Sequence, residues 1–357
     1  MIPQAFIDEL VSRIDLPVMI GLGFAPDQWD ALSSNKAFRS KALIESGLAV
    51  SRTEGKGIYD RFRSRVMFPI LDHQGRTIGF GGRHLGDGDG PKYLNSPETK
   101  LYQKSAVLFG LHQAKTAIRQ LNHVIVAEGY FDVVTPAQHG VENVVSTCGT
   151  AMTEVQAEIL RSVADRVTCC FDGDAAGSKA TWAAATLLVP RVNDVHEIRL
   201  CRLPAGHDPD SLVREHGPKA VAEAVEAAPT LVDYLTGAIA RGARSAEARS
   251  RAVHAAITQW RNFAAPAMKL FYRQSICTAL AISEDSFDQL AAKGVGATPG
   301  DTSLRHCPFC GGRATLVAQD MQHVVACAQC GITTPPVPTF ENAHNLWNRR
   351  KRIRHAA

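Results

Sequence analysis

His123-Val-Ile-Val-Ala-Glu-Gly-Tyr-Phe-Asp132 carries a glutamate at the end of an apolar run, and Arg166-Val-Thr-Cys-Cys-Phe171 ends in the same way on Asp172-Gly-Asp174. Read as strands, the two runs deliver carboxylates at their carboxyl ends. That edge is where ligands bind in an open α/β sheet. Clustered carboxylates without a base partner suit hard divalent cations better than zinc. The pattern points to magnesium-dependent phosphate chemistry.

Outward from these runs, apolar stretches alternate with helical patterns as a parallel sheet requires. Strands are expected near 123–128, 142–147, 166–171 and 195–200. Helices near 129–139, 153–164 and 175–189 connect them, the second opened by a capping pattern between Thr150 and Thr153, the third following Gly173 and Gly177. Such crossovers pack right-handed. Asp208 and Asp210, in Gly206-His-Asp-Pro-Asp210, follow the fourth strand. One edge would thus gather Glu128, Asp132, Asp172, Asp174, Asp208 and Asp210, whose mutual repulsion calls for cations.

The glutamate-ended strand, the Asp-Gly-Asp pair and their spacing resemble a Toprim domain, which leaves the reaction open. Tyr59-Asp-Arg-Phe-Arg-Ser-Arg-Val-Met-Phe-Pro69, Gly79-Phe-Gly-Gly-Arg83, Pro91-Lys-Tyr-Leu-Asn-Ser-Pro-Glu-Thr99, Val126 to Asp132 and Asp208-Pro-Asp210 resemble, in the same order, the core of bacterial DnaG-type DNA primases. The resemblance runs from about Gly21 to about Ala292. It implies an α/β fold: a Toprim parallel sheet flanked by helices, preceded by a mixed α/β subdomain and followed by a helical one. The expected divisions are a primase-like N-terminal helix over 1–20, a core subdomain with a basic ridge over 21–120, and a Toprim domain over 121–216. A helical subdomain over 217–293, a linker over 294–304, a zinc ribbon over 305–350 and a basic tail over 351–357 complete them.

The resemblance also implies roles. Glu128 would be a metal ligand or would help deprotonate an attacking 3′-hydroxyl. Asp172 and Asp174 would hold magnesium or manganese ions, with Asp132, Asp208 and Asp210 completing the cluster. The reaction would be nucleotidyl transfer from ribonucleoside triphosphates onto a short RNA primer, templated by single-stranded DNA. Arg61, Arg63, Arg83, Lys92 and Lys104 match the family's basic ridge for template or nucleotide, and Asn95 beside it is placed to hydrogen-bond a phosphate or base.

Each residue also has an ordinary structural reading. Asp172 and Asp174 are acceptable helix caps. Asp208-Pro-Asp210 is acceptable as a turn and helix start with proline at the first helical position. Arg61, Arg63 and Arg65 alternate along a strand-like run, so a solvated sheet face accounts for them and leaves them exposed. Gly79, Gly81 and Gly82 read as a bulged or tight backbone turn before they read as a phosphate loop.

The chain has 357 residues, 45% of them hydrophobic, enough for two or three domains. No apolar stretch reaches the roughly 18 residues of a membrane span, and the start lacks a secretory pattern, so a cytoplasmic protein without membrane contact is expected. Net charge is +4. That permits nucleic-acid binding where the charge is local. Of nine cysteines, Cys148, Cys169, Cys170, Cys201 and Cys277 read as packing residues. Cys307-Pro-Phe-Cys310 and Cys327-Ala-Gln-Cys330 have the spacing of a closed structural zinc site, with His306 and His323 as surface residues. Residues from about 305 to 350 resemble the zinc ribbons of restriction-alleviation (Lar-like) proteins, which suggests a phage, plasmid or other mobile setting. Arg349-Arg-Lys-Arg-Ile-Arg354 carries five positive charges in six positions, suited to phosphates or simply to solubility.

Two departures from the primase pattern bear on function. Met1 to Asp15 resembles the start of a primase, yet the zinc-binding module that normally follows is missing before Gly21, and the C-terminal ribbon is expected to substitute for it in initiation. The usual helicase-binding domain has no room after the helical segment, so primosome recruitment through it is doubtful. Two rivals stand beside primase: a Toprim nuclease, which the basic ridge disfavours, and a catalytically idle DNA-binding protein, which the retained acidic set disfavours.

Overall fold

A computed structural model describes residues 22–52, 57–86, 90–149, 151–292, 304, 314–319, 322–327, 329, 332–334, 343 and 346–347. The chain divides into two compact units, Met1–Glu284 and Asp285–Ala357. The division falls at Glu284, ahead of the break expected at 293. The expected N-terminal helix over 1–20, the linker up to residue 303 and the basic tail lie outside the described residues.

The first unit opens with β1 (Gly23–Ala25), a hairpin of β2 (Ala49–Ser51) and β3 (Ile58–Asp60), then β4 (Arg65–Leu71), β5 (Thr77–His84) and β6 (Tyr93–Asn95). The order β1-β4-β5-β6 makes a wholly antiparallel sheet. In β4, Arg65 to Ile70 are all buried, because this strand is covered on both faces. Pro69 is tolerated there. Its partner Phe80 turns its backbone groups toward Ser96 in the β6 direction, and β1 pairs no further along β4 than Met67, so no ladder bond is lost.

The strand-like reading of Arg61 to Arg65 is corrected here. Residues 61–64 form an irregular connection between β3 and β4, with Ser64 at φ 50°. Arg65 is not solvated: it is 5% exposed, and its guanidinium donates to the carbonyls of Gly82 and Pro91 at 3.0 and 2.9 Å. The expected irregularity lies beside Gly79, where the register of β5 on β4 shifts between Ile70 and Leu71 and leaves Ile78 as the extra residue. A Cβ at Gly81 would run into the ring of Tyr130, and one at Gly79 would lie 3.0 Å from Tyr102. These glycines let aromatic rings lie flat against the strand.

The second sheet contains β7 (His123–Ala127), β8 (Val144–Ser146), β9 (Arg166–Phe171) and β10 (Glu197–Arg202), ordered β10-β9-β7-β8 and parallel at every junction. β7 is buried at all five positions, as expected of a strand with both faces covered. The connecting helices are Phe131–Gln138, Glu154–Val163 and Ala175–Leu188. Thr153 caps the second of these in a reciprocal box with Gln156, and Thr150 lies outside the described residues. Gly177 sits inside the third helix, where a Cβ would collide with the Asp172 carbonyl. β10 begins at 197 because the Asn193 side chain first accepts the amides of Val195 and His196.

Helices Ser40–Glu45, Leu111–Leu121, Pro209–His216, Pro218–Glu226, Leu231–Ala240, Ala246–Asn262 and Pro266–Leu280 also belong to this unit. The two sheets meet at aromatic side chains. Tyr130 stacks on Phe68 with centroids 4.9 Å apart and meets Phe109 edge-on at 4.7 Å. All three rings are at most 2% exposed. Among the described residues no helix is long and apolar enough to cross a membrane.

In the second unit β11 (Ala314–Gln319) and β12 (Gln322–Cys327) form a hairpin. Val325, Cys327, Ala343 and Trp347 make its buried cluster. Cys307, Cys310 and Cys330, together with His306, lie outside the described residues.

Candidate active site

The parallel register decides which acids meet. Val126 of β7 pairs with Cys169 of β9, so extending both strands by two residues brings Glu128 beside Phe171 and next to Asp172. The Asp172 amide donates to Glu128 Oε1 at 3.3 Å. The Glu128 carbonyl accepts from the Ser146 hydroxyl at 2.6 Å and from the Gly149 amide at 2.8 Å, which holds the strand end in place. β10 pairs Arg202 with Phe171, and the turn after it returns to this edge, where Gly173 N–H donates to the His207 carbonyl at 2.8 Å. Asp208 follows directly.

The six acidic residues do not play one part. Asp174 caps helix Ala175–Leu188, accepting from Gly177 N–H at 2.7 Å, and Asp208 caps helix Pro209–His216, accepting from Ser211 N–H at 2.7 Å. Here the capping and the acidic-cluster readings hold together, since a capping carboxylate keeps lone pairs for other partners. Asp132 is 6% exposed and accepts from the amides of Gly129 at 2.7 Å and Asp210 at 3.4 Å. Burial, then the charges of Asp208 and Asp172, push it up to about 8.

Asp210 departs from the expected ligand set. Its Oδ1 accepts from the Thr135 hydroxyl at 2.5 Å and Arg214 Nε at 3.1 Å, and its Oδ2 accepts from the Arg214 guanidinium at 2.8 Å. With both oxygens engaged, it ties helix Phe131–Gln138 to helix Pro209–His216. Thr135 and Arg214 went unnoticed in the sequence. Only the helical spacing of Asp210 and Arg214, four apart, hinted at the ion pair.

Asp172 is the one whose position calls for a cation. Its Oδ1 is buried with no hydrogen-bond partner. Burial and the charges of Glu128, Asp208 and Asp174 push its carboxyl up to about 7. Glu128 is likewise raised, by burial and then by Asp174. The acids of this edge do not close into a cage: among the described residues no three of them bring ligand oxygens within 4.8 Å of one another. An open arc of this kind fits magnesium, which binds through one or two carboxylates and keeps positions for water and substrate phosphates.

Three residues of the basic ridge stand on aromatic rings. The Arg63 guanidinium lies 3.9 Å from the centroid of Trp29 and 5.4 Å from that of Tyr59. Arg83 lies 4.8 Å from Phe131 and 5.8 Å from Tyr93, whose hydroxyl it reaches at 3.3 Å. Lys92 is exposed over Tyr93 at 5.9 Å, and Lys104 is half-buried at the start of a short 3-10 turn. Arg61 is spent partly on structure, donating to the Asn95 carbonyl at 3.3 and 3.1 Å. Asn95, beside the ridge, is a joint within the fold. Its Oδ1 accepts from the Tyr130 hydroxyl at 2.6 Å and its Nδ2 donates to the Cys148 carbonyl at 3.2 Å, linking β6 to the loops after β7 and β8.

Residues 16–115 match the DNA primase catalytic core, N-terminal domain; residues 125–213 match the Toprim-like family; and residues 302–351 match the restriction alleviation protein Lar family. The crystal structure of a DNA primase domain from Pseudomonas aeruginosa is 38% identical, with a TM-score of 0.72 over 80% of this chain and 88% of that one. The chain belongs to the DnaG-type DNA primase family. A DnaG primase catalytic domain solved bound to single-stranded DNA is 35% identical, with a TM-score of 0.72, and the match covers 79% of this chain and 90% of that one. The DNA primase of Pseudomonas aeruginosa is 40% identical over 292 residues, 80% of this chain and 43% of its own length. The chain thus spans less than half the length of the curated primases it matches, and what it shares with this family is the catalytic core.

Proposed function

We propose that this chain is a DNA-directed RNA polymerase of the primase type, joining ribonucleotides into short primers on single-stranded DNA. The observation that carries the reading is the pairing of Glu128 with Asp172, whose buried unpartnered oxygen lies at the carboxyl edge of β7 and β9. Magnesium or manganese held by Glu128, Asp172 and Asp174 would neutralise phosphate charge and activate the 3′-hydroxyl. Where Glu128 does not hold a cation, its carboxyl, raised by burial, would instead accept the hydroxyl proton. Asp132 and Asp210 brace the turns that carry these acids. Arg63, Arg83 and Lys92 present cations, stiffened by stacking, to the template and the nucleotide triphosphate.

Family membership and geometry support dividing the core into an N-terminal subdomain over 21–120, a Toprim domain over 121–216 and a helical part from 217. The C-terminal segment is proposed as a zinc ribbon. Cys327 is 3% exposed, and Gln329 N–H donates to its sulfur at 3.4 Å, a contact that favours thiolate, the form that binds zinc.

The test is primer synthesis by the purified chain on single-stranded DNA with labelled ribonucleotides and magnesium or manganese, beside Asp172→Ala. Short RNA products that vanish in the variant are expected. Metal-dependent cleavage of the template without synthesis would mean the nuclease, and retained DNA binding with neither activity would mean an idle binding protein.

A further inference from the structure

His207, Glu215 and His216 each bring one donor atom to within 4.8 Å of the others. None of the three enters the reaction proposed above. His207 stands one position before the cap Asp208, and Glu215 and His216 end the helix that this cap opens. The His216 ring centroid lies 5.4 Å from that of His207 with the planes at 67°.

The surrounding hydrogen bonds prepare both kinds of ligand. The Ser211 hydroxyl gives its single hydrogen to the Asp208 carbonyl at 3.1 Å and accepts from the Asp208 amide at 3.0 Å. His207 Nδ1 lies 3.4 Å from that same oxygen, a contact that steadies the imidazole. A histidine whose second nitrogen is fixed in this way is a pre-oriented metal ligand. Arg214, the cation next to Glu215, is committed to Asp210, which leaves the Glu215 carboxylate its lone pairs.

Two imidazoles with one carboxylate select transition metals over magnesium, and three protein ligands leave a zinc-class ion one position for water. We propose that His207, Glu215 and His216 form a zinc-class metal site separate from the carboxylate edge. An ion there ties the turn before Asp208 to the far end of its helix. Because the His207 carbonyl also holds Gly173 N–H, the site stiffens the loop between the acids of β9 and Asp208.

The test is a cobalt(II) titration of the full chain with magnesium in large excess, followed by visible absorption. Cobalt held by cysteines shows a near-ultraviolet sulfur charge-transfer band, whereas nitrogen and oxygen ligands give only the weaker visible bands, so the two kinds of site are counted apart. One cobalt equivalent without the sulfur band is expected, kept in Asp172→Ala and lost in His207→Ala and in His216→Gln. His216 is exposed at the end of its helix, so the second variant retains the fold, which its melting curve verifies. Cobalt binding unchanged in both histidine variants, lost in Asp172→Ala, or displaced by magnesium would overturn the site.

Discussion

Glu128 and Asp172 stand at the ends of neighbouring parallel strands, whereas Arg63, Arg83 and Lys92 stand in and beside an antiparallel sheet, steadied by rings from other segments. In the parallel sheet the strand end itself aims the side chain, and register alone makes the acids neighbours. In the antiparallel sheet alternation does not separate working arginines from structural ones. Arg65 is buried on carbonyls, Arg63 lies on Trp29 and Arg61 holds Asn95. A local pattern can therefore locate carboxylates in such a fold, while the fate of each arginine depends on partners remote in sequence.

The sharpest way to break this contrast is to remove one group from each side. Asp172→Ala is expected to lower primer synthesis by at least about 10²-fold, the scale of losing a preorganised electrostatic partner, with DNA affinity kept in a filter-binding assay. An equal loss of affinity would show that both sides serve binding alone.

The junction between the sheets comes next. Gly81→Ala places a Cβ in the Tyr130 ring, and overpacking of this kind costs about 1–3 kcal/mol, read as a lower midpoint in urea. Tyr130→Phe leaves the Asn95 oxygen without its 2.6 Å donor and is expected to cost about 1 kcal/mol. If Tyr130→Phe were the worse of the two, the hydrogen bond rather than the close strand approach would join the sheets.

The acidic side also has a pH signature. Asp132 and Asp172 have folded values near 8 and 7, above the ordinary carboxylate value near 3.9. Below about pH 4 both the folded and unfolded chains hold these protons. As pH rises toward 8 the unfolded chain releases them first, so the folded state loses stability across that window. Without divalent ions the melting temperature should fall between pH 4 and 8, and magnesium should restore most of the loss at the alkaline end. A flat profile would mean that the carboxylates are already neutralised by protein groups.

The smallest effect is on the basic side. Arg83→Ala should weaken single-stranded DNA binding modestly and reduce the slope of log affinity against log salt by about one phosphate contact, roughly 0.7 for single strands. An unchanged slope would make Arg83 a packing partner of Phe131.

From its own residues the chain determined the four parallel strands, the helices between them and the carboxylates at their ends. Those readings rest on continuous apolar runs and on turn and cap residues, which act within a few positions of themselves. The cap at Thr153 shows the limit of even this local reading, because only the structure shows the Gln156 side chain closing the box. Tertiary structure alone decided that Asp210 is an ion-paired anchor, that Asn95 is a joint, that Arg65 is buried and that the β5 glycines make room for rings. Each depends on a partner between 4 and 75 residues away, and a buried polar group takes whichever partner the packing brings within reach. The grouping of His207 with Glu215 and His216 belongs to the same class, because only the folded turn before Asp208 brings their donor atoms within 4.8 Å of one another.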